Sequence, residues 1–105
     1  MSVKKQFLKS DQVCKVTFRI PKETGKSFET ASLVGDFNNW NAEAHQMSKL
    51  KKDGSFSLIA EIPTGLVYQF RYVLDGKVWV NDTEADGFVD TPYGDAQNGL
   101  LDLTK

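Results

Sequence analysis

The sequence predicts an all-β fold built as an antiparallel β-sandwich, and three observations lead to that prediction. Short segments of alternating apolar and polar residues recur along the chain, turn residues such as Gly, Asn and Pro separate them, and no segment has helical periodicity. A chain of 105 residues can form one hydrophobic core. We therefore expect a single domain over residues 13–105, with residues 1–12 as an N-terminal extension or edge segment.

The clearest strand lies near the start of the chain. Residues 14–20 read "CKVTFRI", in which apolar and polar side chains alternate as in a strand with one buried face. After the turn residues of "PKETGKS", the segment "ETASLVG" is predicted to resume extended structure. Residues 1–12 allow two outcomes, because Phe7 and Leu8 either dock as an edge strand or fray with the terminus.

The second half of the chain repeats this alternation. Asp53-Gly54 suits the positive φ angles of a tight hairpin, and residues 56–62 behind it alternate again. Residues 68–74, "YQFRYVL", form the most aromatic predicted strand, and a second turn leads into "KVWVN". A polar, acidic loop over residues 81–95 and a closing strand in "NGLLDL" are expected to follow. Short antiparallel strands at this spacing are typical of the immunoglobulin-like sandwich.

The hairpin at Asp75-Gly76 has two possible registers. A two-residue loop turns Trp79 toward the core, whereas a three-residue loop that includes Lys77 places Trp79 outside, beside Arg71. The second register is expected to bury the two valines of "KVWVN" and no lysine stem. Because a slip of one residue moves every side chain to the other face, the apolar pattern predicts the three-residue loop.

Composition excludes several classes of partner. Thirteen basic and 14 acidic residues give a net charge of −1, so no overall field attracts nucleic acid or an anionic membrane, and a neutral partner fits better. Cys14 has no second cysteine with which to form an intramolecular disulfide, and "MSVKKQFLKSDQ" lacks the apolar core of a signal peptide. These features predict a cytoplasmic protein that does not span a membrane.

Two tryptophans lie at predicted surface positions. Trp40 follows the turn residues of "LVGDFNNWN", and Trp79 projects from a strand beside Arg71. They either cap the end of the sandwich, since tryptophan is often only partly buried, or form a binding platform. An indole face matches the C–H face of a pyranose ring, and guanidinium and amide groups supply partners for hydroxyls.

Three motifs together carry a family resemblance over residues 13–103. "LVGDFNNWN", "YQFRYVLDGKVWVND" and "NGLLDL" resemble the glycogen-binding domain of the AMP-activated protein kinase β-subunit. They also resemble the early-set domains that precede the catalytic barrels of isoamylases and glycogen-branching enzymes. These domains form carbohydrate-binding module family 48, and stand-alone bacterial versions look especially similar. The resemblance implies an early-set, immunoglobulin-like sandwich that binds α-glucan.

The resemblance also implies a set of glucan-binding residues, namely Trp40, Arg71, Trp79 and Asn98. The loop before Asn98 is one residue longer than in the kinase-type domains, so Gln97 competes for the asparagine role. A leucine that the sugar encircles in those domains falls near Tyr93 here, and a threonine falls near Asp95. Arg71 replaces the lysine of those domains, which keeps the charge and changes the geometry.

Catalysis and metal binding are the first two rival functions. A carboxylate pair for glycoside hydrolysis needs a cleft, for which a lone small sandwich has little room. His45 is expected to face solvent and Cys14 the core, where thiols are inert. Residues 82–87, "DTEADG", have the oxygen spacing of a calcium loop, but Tyr93 replaces its glutamate and no helices flank it. We therefore predict no enzymatic activity, catalytic residue, metal or cofactor.

A docking or regulatory module for a glucan-active enzyme or another protein is the third rival, because exposed aromatic residues also mark protein interfaces. Arg71 and Asn98, expected on the same patch as the tryptophans, favour sugar. The predicted function is non-catalytic binding of α-1,4-glucan, such as glycogen, starch or a maltooligosaccharide. A glycogen-metabolising enzyme is a further candidate partner, and neither nucleic acid nor membrane is expected.

Overall fold

Two antiparallel sheets pack face to face and enclose one hydrophobic core. The computed structural model describes residues 1–9, 12–92 and 96–104. Its strands are β1 (Ser2–Phe7), β2 (Val13–Ile20), β3 (Ala31–Gly35), β4 (Ser48–Lys49), β5 (Phe56–Pro63), β6 (Val67–Leu74), β7 (Val78–Val80), β8 (Gly87–Asp90) and β9 (Gln97–Asp102). A single helical turn, α1 (Lys22–Gly25), follows β2, and a 3₁₀ turn at Asp36–Asn38 follows β3.

The strand order confirms the predicted immunoglobulin-like sandwich. The first sheet has the order β1-β2-β5-β4 and the second β3-β6-β9-β8, with β7 also paired to β6. Every pairing between these strands is antiparallel. Residues 2–7 pair with β2 from Ser2 opposite Arg19 to Phe7 opposite Cys14, so this segment is an edge strand. Among the helices of the described ranges, none is both long and apolar enough to cross a membrane.

Alternation along the strands fills the core as the sequence predicts. The burial pattern of β2 alternates from Cys14 to Ile20, with every second side chain fully buried. Phe18 lies at the centre, where its ring meets Phe70 edge-on at 5.7 Å between centroids and Tyr72 at 6.4 Å. Edge-to-face aromatic pairs add to the stabilisation that burial provides. Because these residues of β6 point inward, Gln69 and Arg71 between them point outward.

The hairpin between β6 and β7 confirms the three-residue register. Leu74 pairs with Val78, and Val73 pairs with Trp79. Asp75 and Gly76 adopt positive φ angles of 51° and 72°, and the backbone N–H of Lys77 donates to the carbonyl oxygen of Leu74 at 3.1 Å. The turn therefore closes over two residues, and the ladder resumes one residue later. Trp79 is 48% exposed.

Burial around this hairpin differs from the expectation. Val78 is 39% exposed rather than buried, because β7 is three residues long and pairs only with β6 in the described chain. Val73, opposite Trp79 on the outer face, is only 2% exposed.

Two local expectations are also corrected. The predicted acidic loop contains β8, whose four residues pair with β9, from Gly87 opposite Leu100 to Asp90 opposite Gln97. The turn containing Asp53 and Gly54 is not a tight hairpin. Only Gly54 of this pair has a positive φ, and the next ladder pair outward joins Lys49 to Phe56. The helical turns at Lys22–Gly25 and Asp36–Asn38 agree with the absence of helical periodicity in the sequence, because a single turn is too short to show a period.

Candidate functional site

An open depression with a volume of about 620 Å³ lies on the outer face of the second sheet. The described residues that line it come from β6, β7, β9, the end of β8 and the loops after β3 and β8: Asp36, Trp40, Gln69, Arg71, Trp79, Asp90, Thr91, Pro92, Ala96 and Asn98. Both tryptophans and two further residues expected in a binding site, Arg71 and Asn98, therefore share one surface. Strand pairing brings Arg71, Trp79 and Asn98 together, whereas Trp40 reaches the depression from the loop after β3.

The depression lies where β6 changes its partner along one edge. β9 pairs with Val67–Phe70, and β7 pairs with Tyr72–Leu74. Arg71 lies between these two ladders, so its side chain is flanked by the beginning of β9 and the end of β7. The side-chain amide of Asn81, just after β7, donates to the carbonyl oxygen of Gln97 at 2.9 Å and ties the two strands together.

Arg71 organises the polar part of the depression. Its guanidinium carbon lies 5.8 Å from the centre of the Trp79 ring, which is within the range of a cation–π interaction. Its Nε donates to Oδ1 of Asn98 at 2.6 Å, and Nδ2 of Asn98 donates to Oε1 of Gln69 at 2.9 Å. These contacts leave the terminal guanidinium nitrogens for other acceptors, since guanidinium carries five N–H donors.

The two candidates for the asparagine role lie differently with respect to the depression. Adjacent residues on β9 point to opposite faces, and Asn98 faces the depression. The Gln97 side chain instead donates to Oδ1 of Asp90 at 2.9 Å and is not among the lining residues. Tyr93 and Asp95, the other two positions that the resemblance indicated, lie outside the described residues.

In the loop "LVGDFNNWN", the carboxylate of Asp36 acts as a clamp that holds Trp40 in place. Oδ1 of Asp36 accepts the indole N–H of Trp40 at 3.1 Å, and Oδ2 accepts the backbone N–H of Gln69 at 2.8 Å. Asn39 and Trp40 both adopt left-handed backbone conformations, with φ angles of 56° and 58°. This conformation is unfavourable for a bulky residue, by about 1 kcal/mol or more, so surrounding contacts must hold it.

Asn38 supplies several of those contacts. Its Oδ1 accepts the Gly35 N–H at 3.1 Å, and its Nδ2 donates to the carbonyl oxygen of Leu33 at 3.0 Å. Nδ2 also contacts Nδ1 of His45 at 2.8 Å, and the His45 ring packs edge-on against Phe37. The expectation that His45 faces solvent is therefore wrong. Its half-buried ring braces the loop.

β3 ends at Gly35, and the close packing at this position explains why the residue is a glycine. A Cβ at this position would lie 2.6 Å from the carbonyl oxygen of Gln69 and 2.8 Å from the ring of Phe37. The close approach to β6 therefore requires glycine, and it allows the chain to leave the sheet at the point where Asp36 reaches Gln69.

Asp36 and Gln69 are among the lining residues that sequence reasoning missed. Alternation places Gln69 on the outer face with Arg71, which is a signal that could have identified it. No local pattern in the sequence indicated the role of Asp36, because its partner in β6 is 33 residues away along the chain.

The acidic segment 82–90 uses several of its carboxylates within the protein. Asp82 is fully buried, where it accepts the Tyr72 hydroxyl at 2.8 Å and the Glu84 backbone N–H at 2.8 Å. Burial, followed by the charge of Asp82, raises the pKa of Tyr72 well above its usual range. Asp86 forms an ion pair with Lys5 at 2.7 Å. Within the ranges that the structure describes, no cluster of three His, Cys, Asp or Glu side chains is placed to hold a metal.

Comparison with known proteins identifies related sequences. A family model described as carbohydrate-binding module 48 (isoamylase N-terminal domain) matches residues 12–87. The chain is similar to a 1,4-α-glucan branching enzyme of Dechloromonas aromatica (strain RCB), with 42% identity over 41 residues that cover 38% of the chain and 7% of the enzyme. It is similar also to a 1,4-α-glucan-branching enzyme of Candida glabrata, with 36% identity over 67 residues that cover 63% of the chain and 9% of the enzyme. The matched part is thus less than a tenth of either relative's length.

Proposed function

Because the chain belongs to carbohydrate-binding module family 48, we propose that it binds α-1,4-linked glucan without catalysing a reaction, by stacking sugar rings on Trp40 and Trp79. One observation carries this proposal. Both indoles line the same open depression as Arg71 and Asn98, so apolar faces and polar groups converge on a single surface. Glycogen, starch and maltooligosaccharides are the candidate ligands.

The chemistry of the lining residues supports a neutral, ring-shaped ligand. Trp79 is 48% exposed beside the Arg71 guanidinium, which combines a flat apolar face with N–H donors. Sugar hydroxyls accept from such donors, while the C–H face of the ring covers the indole. The family relatives support glucan in particular, since both are named as 1,4-α-glucan branching enzymes.

The openness of the site implies modest affinity. A shallow surface buries less of a ligand than an enclosed pocket does, and we expect a dissociation constant on the order of micromolar to millimolar for one module. Attachment to an enzyme, or binding to a polymer with many repeats, would raise the effective affinity. A cytoplasmic glycogen-metabolising enzyme is the partner class that fits this behaviour.

Calorimetric titration with maltoheptaose tests the proposal on wild type, Trp79→Ala and Trp40→Ala. Wild type should bind, and each variant should lose about tenfold or more in affinity, because each removes a stacking surface. Phe88→Ala is the matched control, since Phe88 is 44% exposed on β8 and is not among the lining residues. Unchanged affinity in Trp40→Ala alone would overturn only the two-tryptophan platform.

A docking role is the second candidate, and exposed apolar residues away from the depression favour it. Ile59 on β5 is 57% exposed, and Leu66 and Val67 near the start of β6 are 56% and 48% exposed. If folded wild type shows no binding to maltoheptaose, the glucan proposal fails. The docking role, for a glucan-active enzyme or another protein, then becomes the leading candidate.

A further inference from the structure

The hydrogen bonds from Arg71 to Asn98 and from Asn98 to Gln69 form a relay, and the direction of donation along it is fixed. A guanidinium group can only donate, so Asn98 must turn its oxygen toward Arg71, where Oδ1 accepts from Nε at 2.6 Å. The amide nitrogen of Asn98 then faces Gln69 and donates to its Oε1 at 2.9 Å. This leaves the Gln69 amide with its Nε2 group at the free end.

The free end of this relay lies at the depression. Gln69 is one of the lining residues, and its Nε2 makes no hydrogen bond to the described part of the chain and is not buried. Its backbone is held as well, because the Gln69 N–H donates to Oδ2 of Asp36 at 2.8 Å. The position of the side chain and the orientation of its amide are therefore both set before a ligand arrives, which reduces the entropy lost on binding.

We propose that Gln69 is a specificity-determining residue of this site, which presents an N–H donor to an acceptor oxygen of the bound sugar. The inference rests on the proposed function and adds a chemical requirement to it. Arg71 and Gln69 together offer donors from opposite ends of the relay, so a ligand that spans them must place acceptor oxygens at both points. A pyranose, with oxygens around its ring, meets this requirement.

Gln69→Glu isolates the proposed contact. The glutamate keeps an oxygen that accepts from Asn98 and replaces the ligand-facing N–H₂ by a second acceptor of nearly the same shape. Gln69→Met removes both functions at similar length. Gln6→Glu is the matched control, because Gln6 is exposed on β1 of the other sheet and the charge change is identical.

Maltoheptaose titration should show affinity reduced by about tenfold in Gln69→Glu, and reduced also in Gln69→Met, with Gln6→Glu unchanged. In a nitrogen–proton spectrum of wild type, the side-chain amide signals of Gln69 should shift as sugar is added, while those of Gln6 stay fixed. If wild type binds and Gln69→Glu binds equally well, this inference is overturned and the proposed function stands. If wild type does not bind, both are overturned.

Discussion

The indole N–H of Trp40 donates to Oδ1 of Asp36 at 3.1 Å, so a charged acceptor fixes the orientation of a partly buried aromatic ring. The other oxygen of the carboxylate holds the backbone of Gln69, so the loop is tied to the central strand of the site. Hydrogen bonds to an ionised acceptor are stronger than neutral ones. Asp36 thus links the loop tryptophan to the relay on the sheet.

Asp36→Ala should release Trp40 while the fold is retained. The sequence contains two tryptophans, so Trp40 is the sole indole emitter in a Trp79→Phe background. We expect faster quenching of its fluorescence by acrylamide, and in the Trp79-containing protein a loss of about threefold to tenfold in maltoheptaose affinity. Glu43→Ala, which removes an exposed carboxylate from the following loop, is the control. Identical quenching in Asp36→Ala and its parent would show that the clamp has no role in holding the ring.

Asn38→Ala should lower the free energy of unfolding by about 2 kcal/mol, because it leaves the Gly35 N–H and the Leu33 carbonyl without their side-chain partner. Urea denaturation followed by circular dichroism measures this loss. Asn39→Gly provides the comparison, since Asn39 is exposed with a φ of 56° that glycine adopts freely. A loss in Asn38→Ala no larger than in Asn39→Gly would contradict the assigned role of the Asn38 side chain.

Deletion of Lys77 should preserve the face on which Trp79 lies. Asp75 and Gly76 already have positive φ angles, and without Lys77 they form a two-residue turn that keeps Val78 opposite Leu74. The ladder pairing of Trp79 with Val73 would then be unchanged, and maltoheptaose affinity should stay within about threefold of wild type. Loss of binding in a folded deletion variant would argue against this account of the hairpin.

The contacts of Asp75 in its turn should make the stability of the domain depend on pH in the acid range. Backbone N–H groups of Thr30 and Glu29 donate to its carboxylate and lower its pKa below the ordinary value of 3.8. As the pH falls, Asp75 therefore becomes protonated at a higher pH in the unfolded chain than in the folded protein. The stabilisation is present above about pH 4 and is lost as the pH drops through the folded pKa. Asp53 and Asp102, with lowered pKa values of their own, act in the same direction.

Asp75→Asn tests this dependence, because asparagine tolerates the left-handed backbone and still offers an acceptor oxygen. The variant should be less stable than wild type at pH 7, and the difference between their urea midpoints should shrink at pH 3. Glu29→Gln, which neutralises an exposed carboxylate in the adjoining segment, should show no such convergence. A gap that is equal at both pH values would mean that the charge of Asp75 does not contribute.

The local alternation of apolar and polar residues predicted much of the fold. Alternation identified β2, β5 and β6, and it assigned Trp79 to the outer face once the hairpin register was chosen. It did not identify β8, because a four-residue edge strand such as Gly87–Asp90 has too few positions to show a period and depends on pairing with β9. The exposure of Val78 was missed for a related reason, since neighbouring strands decide how much of a short strand is covered.

The sequence by itself determined which side chains share a face, because the two-residue period of a strand and the turn residues between strands are local properties. It thereby indicated Trp79 and Arg71 together and marked Trp40 as a surface indole. Only the tertiary structure decided how these groups meet. The bonds from Asn98 to Arg71 and to Gln69 join residues 27 and 29 positions apart, and the Asp36 bond to Gln69 spans 33. Such contacts depend on the order in which strands pair, which local period does not encode.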